Sequence, residues 1–164
     1  MRLVRIVVAA AVLLTASFAL SFIHSGGNPR PVANAHLPLL DGSGASPEVR
    51  RVLEAKCGDC HSENTAWPAY SRFAPASWLM EHDVREGREH LNLSRWQHYT
   101  SETRVDLLSK MASEARSGQM PLPQYLLLHR SARLRPDEQE LIYEWARSER
   151  RRIRQQIAGV QAEH

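Results

Sequence analysis

Cys57, Cys60 and His61 stand in one five-residue string, Cys57-Gly58-Asp59-Cys60-His61, and the chain has no other cysteine. The C-x-x-C-H spelling is the attachment signature of c-type haem. Each thiol adds to a haem vinyl group, and the adjacent imidazole binds the iron. Positions i, i+3 and i+4 share a helix face. A helix over this string therefore points all three side chains at one planar ligand. Other chemistries fit less well. A structural zinc ion takes four Cys/His ligands, and no second cysteine pair is present. A thioredoxin-like redox pair belongs beside a βαβ pattern, which the chain lacks. A structural disulfide in an oxidising compartment leaves His61 without a role.

Haem iron has a second axial position, commonly filled by a Met or another His, and a Met raises the reduction potential. Met120 is the first candidate. It follows Gly118 at an expected helix end and precedes Pro121, so it lies in a loop able to reach over a haem face. Met80 and Met111 fall inside expected helices and suit core packing better. His129, then His82 or His98, are the rival ligands, and a vacant sixth site is the remaining alternative. His90 and His98 read as surface residues. Trp67, Tyr70, Trp78, Trp96 and Trp145 could wall the haem, with N–H or O–H groups reaching propionates. Ordinary core packing explains them equally well. Arg72, Arg85 and Arg88 could pair with propionates, although solvated surface charge is the plainer reading of each.

The elements that must position these residues read as helices. Ser46-Pro47 is a helix start, with Ser as N-cap and Pro at the first helical position. Val49, Val52 and Leu53 follow at helical spacing and run into the cysteine string. Ala74-Pro75 opens a second helix with Trp78, Leu79, His82 and Val84 on its inner side. Thr100 or Ser101 caps a third, lined by Val105, Leu108, Met111, Ala112 and Ala115, and Gly118 ends it. Tyr125 to His129 forms a short fourth. Pro136 opens a fifth, presenting Leu141, Ile142, Trp145 and Ile153. The basic stretch Arg147, Arg150, Arg151, Arg152 and Arg154 reads as the solvated end of that helix, where the dipole favours positive charge. No window alternates apolar and polar residues as a half-buried strand would. The fold class expected is all-α: a small cytochrome c-like helical domain around one covalent haem.

The N-terminus carries a different signal. Arg2 and Arg5 precede an apolar run from Ile6 to Ile23, broken only by Thr15, Ser17 and Ser21. At about 1.5 Å per residue such a helix just crosses a bilayer core of about 30 Å. The leading arginines predict a cytoplasmic N-terminus with everything after it outside. An uncleaved signal anchor is favoured over a signal peptide cut after Ser17-Phe18-Ala19; Ala33-Asn34-Ala35 has the right form but lies far past the run. The expected organisation is a signal anchor or signal peptide over 1–24, a flexible linker over 25–45, the haem-binding domain over 46–158 and a tail over 159–164. The formal charge of +3 in 164 residues is too small an excess to suggest nucleic acid as a partner.

Several motifs in order resemble one family. The stretch Cys57-Gly58-Asp59-Cys60-His61-Ser62-Glu63-Asn64-Thr65-Ala66-Trp67-Pro68-Ala69-Tyr70 is similar to the start of the bacterial haem-binding domain family of c-type cytochrome-like proteins. The likeness continues through Ala74-Pro75-Ala76-Ser77-Trp78-Leu79 and from Asp83 to Trp96. It ends with Gly118-Gln119-Met120-Pro121-Leu122-Pro123-Gln124-Tyr125, His129 and Trp145. The resemblance implies an exported, often membrane-anchored protein with one haem c held through Cys57 and Cys60, and it points to Met120 as the ligand opposite His61. Two departures stand out. The family usually reads Met-Pro-Pro where this chain has Met120-Pro121-Leu122-Pro123. Its last helix opens on a Ser or Thr cap where Arg135 stands here.

The expectation is a monohaem c-type cytochrome-like protein of the bacterial inner membrane, facing the periplasm and exchanging single electrons with a redox partner protein. No acid–base or nucleophile constellation suggests an enzyme. The alternative is a haem-based sensor or small-ligand binder with an open or displaceable sixth position. A weaker third reading is peroxide chemistry with His129 or His82 as acid–base.

Overall fold

The computed structural model of the chain describes residues 1–23 and 37–162, and every regular element among them is helical. The order is α1 (Arg2–Leu20), α2 (Pro47–His61), α3 (Ala76–His90), α4 (Ser101–Ser117), α5 (Pro123–Leu128) and α6 (Pro136–Ala162), with short 3-10 turns at Ala69–Arg72, Leu93–His98 and Arg130–Ala132. The all-α expectation holds.

The helix ends follow from local chemistry. The Val49 N–H donates to Ser46 Oγ at 3.2 Å, and Pro47 fills the first turn. Thr103 N–H donates to Thr100 Oγ1 at 3.2 Å, and Gly118 closes α4 at φ 73°, a left-handed conformation suited to glycine. Arg135, which stands where the similar family usually has a hydroxyl cap, starts α6 differently. Its N–H donates to Glu138 Oε2 at 2.9 Å, which is the return half of a capping box. Its guanidinium lies on Asp137 at 2.9 Å and Glu138 at 3.1 Å.

α4 packs along α6, and the core lies between them, α2 and the turn at 93–98. Val49, Val52, Leu53, Leu93, Trp96, Val105, Leu108, Ile142, Trp145 and Ile153 form it. Trp96 and Trp145 belong to this packing, and Met111 lies against it. The core draws nothing from α3, α5 or the turn at 69–72. α3 instead buries Ser77, Met80, Glu81, Val84 and Gly87. Of the expected inner side, Val84 is buried and Trp78 half-buried, whereas Leu79 and His82 are exposed. The apolar pattern misled because two polar residues and a glycine occupy the buried stripe.

The linker expected over 25–45 falls partly outside the described residues, as does Ala33-Asn34-Ala35. Its last part belongs to the fold. Leu39 and Leu40 are buried, and Leu40 is fully so, with its N–H donating to Leu93 O at 2.8 Å. Asn64 exchanges two hydrogen bonds with the Leu37 backbone, and Arg50 donates to the Leu39 carbonyl. Residues 37–40 thus join the packed domain ahead of Ser46. Their surroundings resemble a linker in composition, but two adjacent leucines find core positions there. Replacing Leu40 with alanine should destabilise the domain by about 2–5 kcal/mol, the cost of emptying a core leucine site. Chemical denaturation checks this; a true linker residue would cost almost nothing.

The basic stretch also differs from expectation. α6 continues to Ala162 because Ile153 is buried and Ile157 still packs on the core. Residues 159–162, expected as tail, are thus helical, and the arginines lie within the helix, not at its end. Arg152 pairs with buried Glu149 at 2.5 Å, and Glu149 also accepts from the Gly44 N–H at 3.2 Å. Burial works against ionisation of Glu149, but Arg152 and the Gly44 N–H outweigh it and hold its carboxyl below the usual range.

Candidate haem site

α2 delivers Cys57, Cys60 and His61 on its last turn and stops at His61. Ser62 and Thr65 explain the stop. The buried Ser62 hydroxyl donates to Gly58 O at 2.7 Å, and the Thr65 hydroxyl donates to Asp59 O at 2.6 Å. These bonds satisfy carbonyls that a continuing helix would have used. Ser62 Oγ also accepts from the Asn64 N–H at 3.0 Å, turning the chain away.

Arg88 on α3 clamps the segment after the turn. Its Nε–H donates to Ser62 O at 2.8 Å, Nη2 donates to Thr65 Oγ1 at 3.0 Å, and Nη1 lies 3.3 Å from Glu63. Glu63 in turn accepts from Asn92 at 2.8 Å and Arg95 at 3.0 Å. Arg88 is therefore a structural clamp, not the solvated charge its residue type suggests.

α3 crosses α2 closely at Gly87. A Cβ there would lie 2.7 Å from Cys60 O and 3.1 Å from Cys60 C and Cβ. Gly87→Ala should force the two helices apart at a cost of about 1–3 kcal/mol. A fall in thermal midpoint with a lower haem content of the purified protein is the expected outcome.

The same crossing orients the imidazole. His61 Nδ1 lies 3.0 Å from Leu91 O at the C-terminal end of α3. With Nδ1 donating to that carbonyl, the lone pair is on Nε2, the arrangement found in metal-ligating histidines. Burial lowers the His61 pKa, against the opposing hydrogen bonds to the Leu91 and Gly87 carbonyls. The ring is thus neutral at neutral pH, which is the ligating form. Both cysteines are free, and burial pushes both thiols up to about 12, helped at Cys60 by Asp83 and Asp59. Redox-active cysteines have lowered values instead.

A polar chain connects this turn to α5. Asp59 Oδ2 accepts from Tyr125 OH at 2.6 Å, and the Tyr125 ring stacks on His129 at 4.2 Å between centroids, 5° from parallel. His129 Nε2 lies 2.5 Å from Tyr70 OH. Asp59 Oδ1 also accepts from the Ala66 N–H at 3.0 Å. Burial and the Asp59 carboxylate raise the Tyr125 pKa, so its hydroxyl stays protonated and donating. The sequence gives little sign of this chain, since Asp59 and Tyr125 are far apart and neither lies in an apolar stripe.

The other expected site residues scatter. Tyr70 joins the polar chain just described. Trp67 is half-buried after α2. The Trp78 indole N–H donates to Ile23 O at 2.8 Å, so it is occupied at the end of α1 rather than left for a propionate. Met120 is half-buried in the loop between α4 and α5, its N–H donating to Glu114 O at 3.3 Å. The loop leads directly into α5, which the Tyr125–Asp59 bond ties to the cysteine turn. Met80 is buried on α3. Among the rival histidines, His129 is held by Tyr70 and Tyr125, His82 is exposed beside Arg85 at 3.0 Å, and His90 and His98 are exposed.

The residues present fit a haem. Two unpaired thiols and a neutral, oriented imidazole share one helix turn, and the half of the domain built on α3 and α5 contributes nothing to the apolar core. A large flat apolar group there would supply what those helices lack. Comparison with known proteins agrees. No curated protein and no solved structure matches the chain significantly. A family model, that of the haem-binding domain, matches residues 15–148, from within α1 to the middle of α6. With most of its length matched, and with the cysteine turn, Tyr70 and Met120 all inside the match, the chain belongs to the haem-binding domain family.

Proposed function

We propose that this haem-binding protein holds one haem covalently through Cys57 and Cys60 and carries single electrons at the outer face of the bacterial inner membrane. The observation that carries the reading is the last turn of α2, where two free thiols stand beside an imidazole fixed by Leu91 O. A bound haem supplies a one-electron iron couple whose potential depends on its axial ligands. The chain's own residues supply the rest. Cys57 and Cys60 tether the group. His61, its ring orientation held by Leu91 O at the end of α3, would bind the iron. Met120, in the loop between α4 and α5, would be the second protein ligand. Two protein ligands would favour electron transfer to a partner protein over substrate chemistry.

α1 is the anchor in this reading. It is long and apolar enough to cross a membrane, and none of its residues is buried in the domain. Retention after export is supported by Ser17, which donates to Ala74 O at 2.5 Å, and by Ser21, which accepts from the Ala74 N–H at 2.9 Å. Cleavage after Ala19 would remove the first of these bonds. The basic residues ahead of the helix, Arg2 and Arg5, support a periplasmic domain.

Intact-mass measurement of the denatured protein, made in a host with haem-attachment machinery, tests both parts. The expected mass is the chain from Met1 plus one haem. The mass of the bare chain would refute covalent attachment, and a chain beginning at Leu20 would refute the anchor.

A further inference from the structure

We propose that the segment around Phe73 and Leu79 is a lipid-contact surface, which lays the haem-binding domain against the bilayer instead of leaving it tethered above. The inference rests on the reading of α1 as a retained membrane anchor.

Three hydrogen bonds join the outer end of α1 to the start of α3: Ser17 Oγ to Ala74 O, Ala74 N to Ser21 Oγ, and Trp78 Nε1 to Ile23 O, at 2.5, 2.9 and 2.8 Å. Residues 74 and 78 are therefore fixed at the depth of the last turn of the helix. At about 1.5 Å per residue, a helix of this length spans about one bilayer hydrocarbon core. Its last turn then lies at the lipid headgroups, and so must whatever is bonded to it.

The side chains flanking those bonds suit that depth. Phe73 and Leu79 are each 49% exposed, and Phe22 and Ile23, which follow Ser21 in the chain, are exposed as well. From Asn64 to Met80 the chain contains no acidic residue and one charge, Arg72, which is exposed. An aromatic and aliphatic surface with a single arginine matches the membrane interface, where Trp lies at the headgroup level, Phe and Leu enter the acyl boundary and Arg reaches the headgroups. A second protein would need a complementary acidic or shaped surface that nothing here calls for. The bonds to α1 bring lipid to this segment directly.

The test uses the full haem-loaded chain reconstituted in vesicles of mixed zwitterionic and anionic phospholipid. Single cysteines at Phe73→Cys, Leu79→Cys and His90→Cys receive a nitroxide label, and the parent chain sets the background labelling of Cys57 and Cys60. His90, at the far end of α3 and with 81% of its side chain exposed, is the water-facing reference. Labels at 73 and 79 should lose broadening by a water-soluble nickel chelate and gain broadening by oxygen, with the reverse at 90. Chelate access at 73 and 79 equal to that at 90, in protein that resists alkaline extraction, would overturn the lipid contact and leave the anchor standing. Release of the chain by alkaline extraction would overturn the anchor, and this inference with it.

Discussion

Met120→Ala should leave the haem attached but convert a closed iron site into an open one. The parent protein, reduced at neutral pH, is expected to resist carbon monoxide, whereas the variant should bind it fully and fast. The reduction potential should also fall, by on the order of 0.1–0.3 V within the ~0.8 V range that axial ligands set. Gly118 ends α4 in a left-handed conformation, and the following residues form a loop that enters α5. The Tyr125–Asp59 bond fixes α5 on the turn that presents His61. The alternative histidines have other partners or face solvent. Rapid carbon monoxide binding by the parent protein would contradict the assignment and favour the sensor reading. His129→Ala separates the two further: it should perturb the spectrum far less than Met120→Ala if the methionine is the ligand.

Cys57→Ala with Cys60→Ala should abolish haem that survives denaturation, and its structural effect should be uneven. The apolar core runs through α2, α4, α6 and residues 39–40. α3 and α5 have no share in it and depend on Arg88, the Gly87 crossing and the Asp59–Tyr125–His129–Tyr70 chain. A haem tethered through Cys57 and Cys60 would stay on the unfolded chain and would stabilise the fold only through contacts with these helices that form on folding. Hydrogen exchange of the variant should therefore show lost protection in α3 and α5 and retained protection in α4 and α6, because local stability tracks local burial. Uniform loss over all helices would show that the core also needs the haem. No loss anywhere would show that haem contributes nothing to these two helices.

Much of this was legible in the sequence, and the reasons differ by element. α2 and α4 announce themselves through Ser46-Pro47, Thr100 and Gly118, whose capping roles depend on neighbours within a few residues. The cysteine turn is legible because its chemistry is local: three side chains on one helix face. Residues 37–45 were not, since Leu39 and Leu40 gain their burial from distant Leu93 and Arg50. The inner side of α3 was only partly legible: Val84 lies on it as expected, but Ser77, Glu81 and Gly87 share it, and a stripe read from apolar residues passes over them. The end of α6 was misread because arginines there mask the stripe continued by Ile153 and Ile157. The polar chain from Asp59 to Tyr70 joins four residues whose only common feature is their position in space.

Absorption spectroscopy of the full chain, oxidised and reduced, after expression with haem-attachment machinery, tests the central claim most directly. The account predicts a sharp c-type spectrum on reduction and, in the oxidised protein, the weak far-red band of a methionine–iron bond, lost in Met120→Ala. A c-type spectrum without that band would contradict the assignment of Met120 and return the sixth position to His129, His82 or a vacancy. A spectrum with unmodified haem vinyl groups would contradict covalent attachment through Cys57 and Cys60.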